Sequence, residues 1–444
     1  MCSSAAVVIL SITIFHGSYS VDLDFPPNFK FGASTSSYQI EGGWNADGKG
    51  QHMWDKLVHE HRERIKNNAT GDVAADSYHQ WKEDVRIATE LGLQFYSNLI
   101  DALLANGIEP VVTLYHWELP VRIRDLGAWT NPYIVNWFGD YARVVFSLYA
   151  DRVKTWITMN EAISICDYSY IAGLFAPGIK EPEFAPYLCN KHILLAHATA
   201  YRIYEREFKL LYEARISFAN YELWIEPATP ADEELAELGR EHSIGRYSNP
   251  IYSKNGGWPP SVEKLMLEYS LKQGYNRSRL PAFTQNEIEF IKAKPGEDAG
   301  IWVVTGSPEL NAVLMAPPDS EGYGPFPLLV VYPKGIRSLL SWIRQKYGDM
   351  DIMISENGTK FGLYEVDFEH PNRTRTPRKS AYYYACVIKN KSLNISNECF
   401  NEEYIRKDFQ ITPQNGGRSL KSGGILVLIC ILLYIHISIK VVNF

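Results

Sequence analysis

The sequence predicts an α/β fold built on a parallel sheet with helices packed outside it. Three observations carry this. Apolar runs of strand length alternate with segments of helical periodicity along most of the chain. The run EPVVTLY at 109–115 is continuously apolar, as a strand buried on both faces is. The length, 444 residues with 46% hydrophobic, suits one barrel with long loops or two ordinary domains.

The elements follow in order. A short strand is expected at 30–33 (KFGA), before the Ser-rich turn STSSYQIEGG. Residues 77–91 space their apolar side chains helically and stop at Gly92. Helix is expected again at 97–105, strand at 109–115, an amphipathic helix at 131–150, and a strand at 153–158 running into MNEA. Next come a helix over 190–208, a strand and exit loop over 215–227, and helical segments near 232–243, 260–272 and 284–292. The series closes with a helix at 333–347, strands at 351–355 and 361–368, and a helix at 376–389.

Both ends read as membrane-directed. Residues 5–15 (AAVVILSITIF) are apolar, and Ser18 and Ser20 supply small residues for a cut after position 20, so 1–20 is expected to be a signal peptide. Residues 423–439 reach only the lower edge of spanning length; the tail 423–444 is expected to be a transmembrane anchor or a GPI signal with Asn415, Gly416 and Gly417 as its small site. His436 and Lys440 weaken both readings. This leaves 21–400 as the domain and 401–422 as a juxtamembrane linker, and it expects an extracellular or cell-surface protein of the secretory pathway whose tail meets the membrane.

Cysteine usage agrees with an oxidising compartment without naming a pair: Cys166, Cys189, Cys386 and Cys399 lie between the two end segments. No CxxC occurs, so zinc is not expected. Sequons at Asn68, Asn276, Asn372, Asn390 and Asn394 are candidate glycan sites, with another at Asn357. The net charge of 44 − 51 = −7, without a basic run, gives no support to nucleic-acid binding. Eleven Trp and 28 Tyr either fill a large core or stack on sugar rings.

Glu161 and Glu356 are the candidate catalytic carboxylates. Each ends an apolar strand, where a barrel places reactive side chains. Two opposed carboxyls suit cleavage of a glycosidic bond, one protonating the leaving oxygen and the other attacking the anomeric carbon. A separation of about 5–5.5 Å specifies retention. Taken singly, either Glu reads first as a surface loop residue or half of an ion pair.

Several segments together resemble family 1 glycoside hydrolases. TMNEA at 158–162 resembles the acid/base motif T-x-N-E-P, and ISENG at 354–358 resembles the nucleophile motif I/V-T-E-N-G. FPPNFKFGASTSSYQIEGG, YHWELP, RSRLPAFT and RTPRKSAYYY match further family segments in the family's order, from Phe25 to about Asn390. The similar animal members are β-glucosidases, lactase-like enzymes and insect myrosinase-like proteins. The resemblance implies a TIM (β/α)8 barrel of the glycosidase type and hydrolysis of terminal non-reducing β-D-glycosidic bonds without a cofactor. It makes Glu161 the acid/base and Glu356 the nucleophile. It gives Asn160 the sugar 2-hydroxyl, Gln39 and His116 the outer glycone hydroxyls, and Trp117 the floor beside them. Ala162 stands where the motif has Pro, and Ser355 where it has Thr.

Three family segments are absent. Only LQFY separates Gly92 from Ser97, where two outer helices need a strand and both its connections between them. Family members carry a strand there whose Arg favours the charged nucleophile. Residues 289–302 pass from helix to loop with no buried strand, where the family has one bearing a Tyr. Between ISENG and FGLYEVDF only Thr359 and Lys360 remain, in place of a helix, a strand and the loop that clamps the sugar. Candidate barrel strands are then those near 30, 109, 153, 215 and 351, so an incomplete barrel is expected. The intact flanks suggest skipped coding blocks. The alternative to an active glycosidase is an impaired product that binds sugars weakly at most. The chain as written is expected to turn over an aryl β-glucoside little or not at all, and to melt without one cooperative transition.

Overall fold

The computed structural model describes residues 24–25, 29–32, 34–91, 97–221, 224–292, 299–300, 321–322, 330–331, 333–348, 350, 352–354, 363–368, 370–395 and 439–440. The signal segment 1–20, the joins at 92–96 and 359–360, residues 293–298 and 301–302 of the stretch 289–302, Glu356, the Asn357 sequon, the linker 401–422 and tail residues 423–438 and 441–444 lie outside them.

The order begins with β1 (Lys30–Phe31), α1 (Ser37–Ile40), α2 (Met53–Glu60), α3 (Ser77–Leu91), α4 (Ser97–Ala105), β2 (Val111–Tyr115), α5 (Val121–Asp125) and α6 (Ile134–Tyr149). It continues through β3 (Thr155–Asn160), α7 (Ala185–Glu207), β4 (Arg215–Ala219), α8 (Glu233–Arg240), α9 (Arg246–Tyr252), α10 (Pro260–Lys272) and α11 (Gln285–Ile291). The last part holds β5 (Ala299–Gly300), β6 (Glu321–Gly322), β7 (Val330–Val331), α12 (Pro333–Tyr347), β8 (Ile352–Ile354), β9 (Tyr364–Val366), β10 (Arg375–Pro377), α13 (Lys379–Asn390) and β11 (Ile439–Lys440).

The expected strands all occur, as β1, β2, β3, β4, β8 and β9. One expectation is corrected: the Ser-rich turn after β1 contains the helical turn α1. The stretch 289–302, expected to hold no buried strand, contains the two-residue β5, which pairs parallel with β8 through Ala299↔Ile352 and Gly300↔Met353. A strand of two residues leaves no hydrophobic period to read.

The strands form two main sheets. β2, β3 and β4 make a parallel sheet in that order. β1, β11, β8 and β5 make a mixed one, with β11 antiparallel to both β1 and β8. Among the described residues no ladder joins the two sheets, so no closed barrel forms. The seam between β1 and β2 is held by side chains: the Lys30 ammonium meets Glu109 at the foot of β2, and the Ser37 hydroxyl donates to Glu118 beyond its top at 2.6 Å.

The core lies between the first sheet and its helices. All six residues of β3 are buried. α6 turns Ile134, Phe138, Ala142 and Phe146 inward, and the Phe146 ring meets Trp156 of β3 edge-on at 5.1 Å. Gly139 lets α6 approach α7, since a Cβ there would stand 2.8 Å from Thr199 Cγ2. α7 starts where it does because the Glu181 carboxylate accepts from the amides of Phe184 and Ala185, and Pro186 needs no such acceptor. A disulfide joins Cys166 to Cys189, the pairing that spacing left open, and Cys386 is also disulfide-bonded. Far along the chain, the buried Arg375 of β10 forks onto Asp84 of α3 at 2.8 and 3.2 Å, tying the end of the domain to its beginning.

Candidate active site

The parallel register brings the candidate residues together. Tyr115 pairs with Met159, so the residues just beyond, His116 and Asn160, stand side by side. Their side chains meet at 3.2 Å between Asn160 Nδ2 and His116 Nε2. The register between β3 and β4 slips between Ile157 and Asn160, an irregularity that re-aims the end of the strand.

Glu161 follows at once. Its φ is +49°, in the left-handed region, and its amide donates to the Ala219 carbonyl at 2.9 Å. Trp117 also has positive φ, +78°, and its indole N–H donates to the Asn160 carbonyl at 3.0 Å. Two non-glycine residues with positive φ, touching through one carbonyl, are the strained backbone that gathers where side chains must be aimed. Asn160 is 4% exposed and Glu161 7%, so the acid sits at the bottom of the site.

Gln39 stands on α1, where its side-chain oxygen accepts from the Ser36 hydroxyl at 2.6 Å. α1 is pinned to the exit of β2 by Glu118, which accepts from the Ser37 hydroxyl and, at 3.4 Å, from the Tyr38 amide. Glu118 carries no expectation from the sequence beyond its place in YHWELP. Burial pushes its carboxyl up to about 7, against the pull of the Ser37 and Tyr38 bonds. Aromatic rings line the approach: Trp54 stacks near Trp117 at 6.5 Å, and Phe175 touches Trp117, Trp54 and Tyr168 at 5.3, 5.8 and 5.2 Å. The Tyr168 phenol is raised to about 12, chiefly by burial and then by the charges of Asp167 and Glu161.

Of the six residues expected at the site, His116, Trp117, Asn160 and Glu161 form one contiguous cluster. Gln39 belongs to a segment tied to it, and Glu356 lies outside the described residues, two positions past β8. The arrangement holds one buried carboxyl beside a neutral amide, an imidazole and an indole, a set suited to gripping sugar hydroxyls around a proton donor. Among the described residues no group of His, Cys, Asp and Glu side chains could hold a metal ion.

Comparison with known proteins names the family. The chain matches the profile of glycosyl hydrolase family 1 over residues 21–94 and 88–298. The two matched pieces meet where LQFY joins two helices. Myrosinase 1 of Brevicoryne brassicae is 34% identical, with 83% of this chain and 99% of that protein covered. That alignment runs over 462 positions, more than the 444 residues of the whole chain, so the relative carries segments this chain lacks. Cytosolic beta-glucosidase of Homo sapiens is 32% identical with 83% and 99% covered. Among solved structures, aphid myrosinase superposes with a TM-score of 0.76 at 32% identity, covering 83% of this chain and 100% of that one. The family 1 β-glucosidase of Thermotoga maritima gives a TM-score of 0.72 at 25% identity, covering 85% and 100%. The fold is thus the glycosidase TIM (β/α)8 barrel with strands missing, and the chain belongs to glycosyl hydrolase family 1.

Proposed function

We propose that this chain derives from a retaining β-glycosidase of the β-glucosidase type that hydrolyses terminal non-reducing β-D-glycosidic bonds by double displacement. Glu161 is the acid/base and Glu356 the nucleophile. Asn160, His116, Gln39 and Trp117 bind the glycone. The observation that carries this is the cluster at the ends of β2 and β3, where Glu161 follows Asn160, whose carbonyl accepts from the Trp117 indole and whose side-chain amide meets His116. Proton transfer by such a positioned carboxyl contributes about 10² to 10⁴-fold.

One observation favours the second reading, a catalytically impaired chain. The two main sheets are not joined by a ladder among the described residues, and the nucleophile's strand belongs to the sheet of two- and three-residue strands. The test uses the chain as written and a chain with the three absent segments restored from a family relative. The restored chain is expected to hydrolyse an aryl β-glucoside and to lose turnover on Glu356→Gln, while the chain as written shows little or none. No turnover in a folded restored chain overturns the glycosidase reading. Turnover in the chain as written that Glu356→Gln abolishes overturns the impaired one.

The same proposal places the protein in the secretory pathway. The Cys166–Cys189 disulfide and the exposure of Asn68, Asn276, Asn372, Asn390 and Asn394 support it. Endoglycosidase treatment of secreted material is expected to increase gel mobility, and each Asn→Gln change to remove one step. A membrane tether rests on the apolar run 423–439 alone. Among the described residues no helix is long and apolar enough to cross a membrane.

A further inference from the structure

Behind Glu161 the chain winds into a π-helical turn, Ser164–Tyr168, entered through an α-type bond in which the Ile165 amide donates to the Glu161 carbonyl at 3.1 Å. This turn is fastened twice to α7. Cys166 is bonded to Cys189, and the next residue on each side, Asp167 and Asn190, is held by one guanidinium. Arg246 donates to Asp167 Oδ2 at 2.8 Å and to Asn190 Oδ1 at 2.7 Å, and its third group donates to the His242 carbonyl. Asn190 in turn donates to the Tyr247 hydroxyl. Arg246, Asp167 and Asn190 are 1%, 2% and 0% exposed.

Breaking a buried ion pair leaves an uncompensated charge, and here the hydrogen-bond partners of Arg246 lie on the turn behind Glu161, on α7, and on the second π-helical stretch, Glu241–Gly245, that precedes it. π-helical turns gather at functional sites because they re-aim the residues around them. We infer that Arg246 is a positioning residue for Glu161. Its planar fork locks the turn to α7 and so sets where the carboxyl stands. The inference rests on the acid/base reading of Glu161 and adds to it a group that touches no substrate.

The test separates aim from bulk stability. Arg246→Met leaves Asp167 buried without its cation, so Asp167→Asn with Arg246→Met is made alongside as a neutral pair, and Arg246→Lys keeps the charge without the fork. Hydrogen exchange of the Glu161 and Ile165 amides is expected to quicken about tenfold or more in the Met variants, with the amides of α6 little changed and Lys intermediate. In the restored chain, turnover of methyl β-glucoside, which needs the acid, is expected to fall about a hundredfold. Formation of the glycosyl-enzyme from 2,4-dinitrophenyl β-glucoside, which does not, should change less than about threefold. An equal loss on both substrates, or exchange that rises everywhere or nowhere, overturns the inference. If the restored parent shows no turnover, the glycosidase reading fails while the exchange pattern still decides the positioning claim.

Discussion

The two main sheets of this molecule are built to different standards. β2, β3 and β4 run five, six and five residues in parallel, with one slip of register between β3 and β4, carry a continuous hydrophobic core, and end in the cluster around Glu161. β1, β11, β8 and β5 run two, two, three and two residues with mixed direction, and β8 is only half-buried. Glu161 therefore stands on the well-formed sheet, and β8, the strand that leads to Glu356, on the meagre one. The lesson is that a barrel site is shared between strands, so one intact side can preserve a motif's local geometry whatever becomes of the other.

The largest expected effect lies in restoring the absent segments, which should raise aryl β-glucoside turnover from near background. Glu161→Gln should then lower kcat on poor leaving groups by about 10² to 10⁴-fold. If turnover did not depend on the segments, the contrast between the sheets would have no functional meaning.

Next come the cores. Trp156→Ala or Phe146→Ala, on the fully buried side, should cost about 3–5 kcal/mol in denaturant unfolding. Ile352→Ala on β8 should cost less than about 2 kcal/mol, because its side chain is only partly covered. Equal costs would show that both sheets melt as one unit, contrary to the expected absence of a single cooperative transition.

Reducing the Cys166–Cys189 disulfide, which spans a sequence separation of 23, should lower the stability of the first side by about 2–4 kcal/mol. Hydrogen exchange should locate that loss in the turn after Glu161 and in α7.

The last effect is the dependence on pH. Burial pushes His197 down to about 3 and His52 down to about 4, so the folded state binds fewer protons than the unfolded chain below pH 6.5. Their contribution is fully present above about pH 6.5 and is lost as pH falls through the depressed values. Glu118 acts in the opposite sense: raised to about 7, it penalises folding at and above neutrality, and acidification relieves that penalty. With the histidines outnumbering it, the first side should weaken on acidification from pH 6.5. His197→Gln should flatten that slope, as urea midpoints across pH would show.

Much of the site was legible before any coordinates. TMNEA and YHWELP name the residues that the parallel register then sets side by side, because strand ends in an α/β sheet face one way. The absent segments were legible too, since a connection of four residues cannot cross a sheet and return. The positions, order and kind of the main elements followed from hydrophobic period, a local property. Tertiary structure alone decided what pairs across distance: Cys166 with Cys189, Arg246 with Asp167 and Asn190, Arg375 with Asp84, and β11 between β1 and β8. Those partners lie from tens to hundreds of residues apart. No local pattern encodes which of several acids or cysteines packing will bring within reach, because that choice belongs to the whole core.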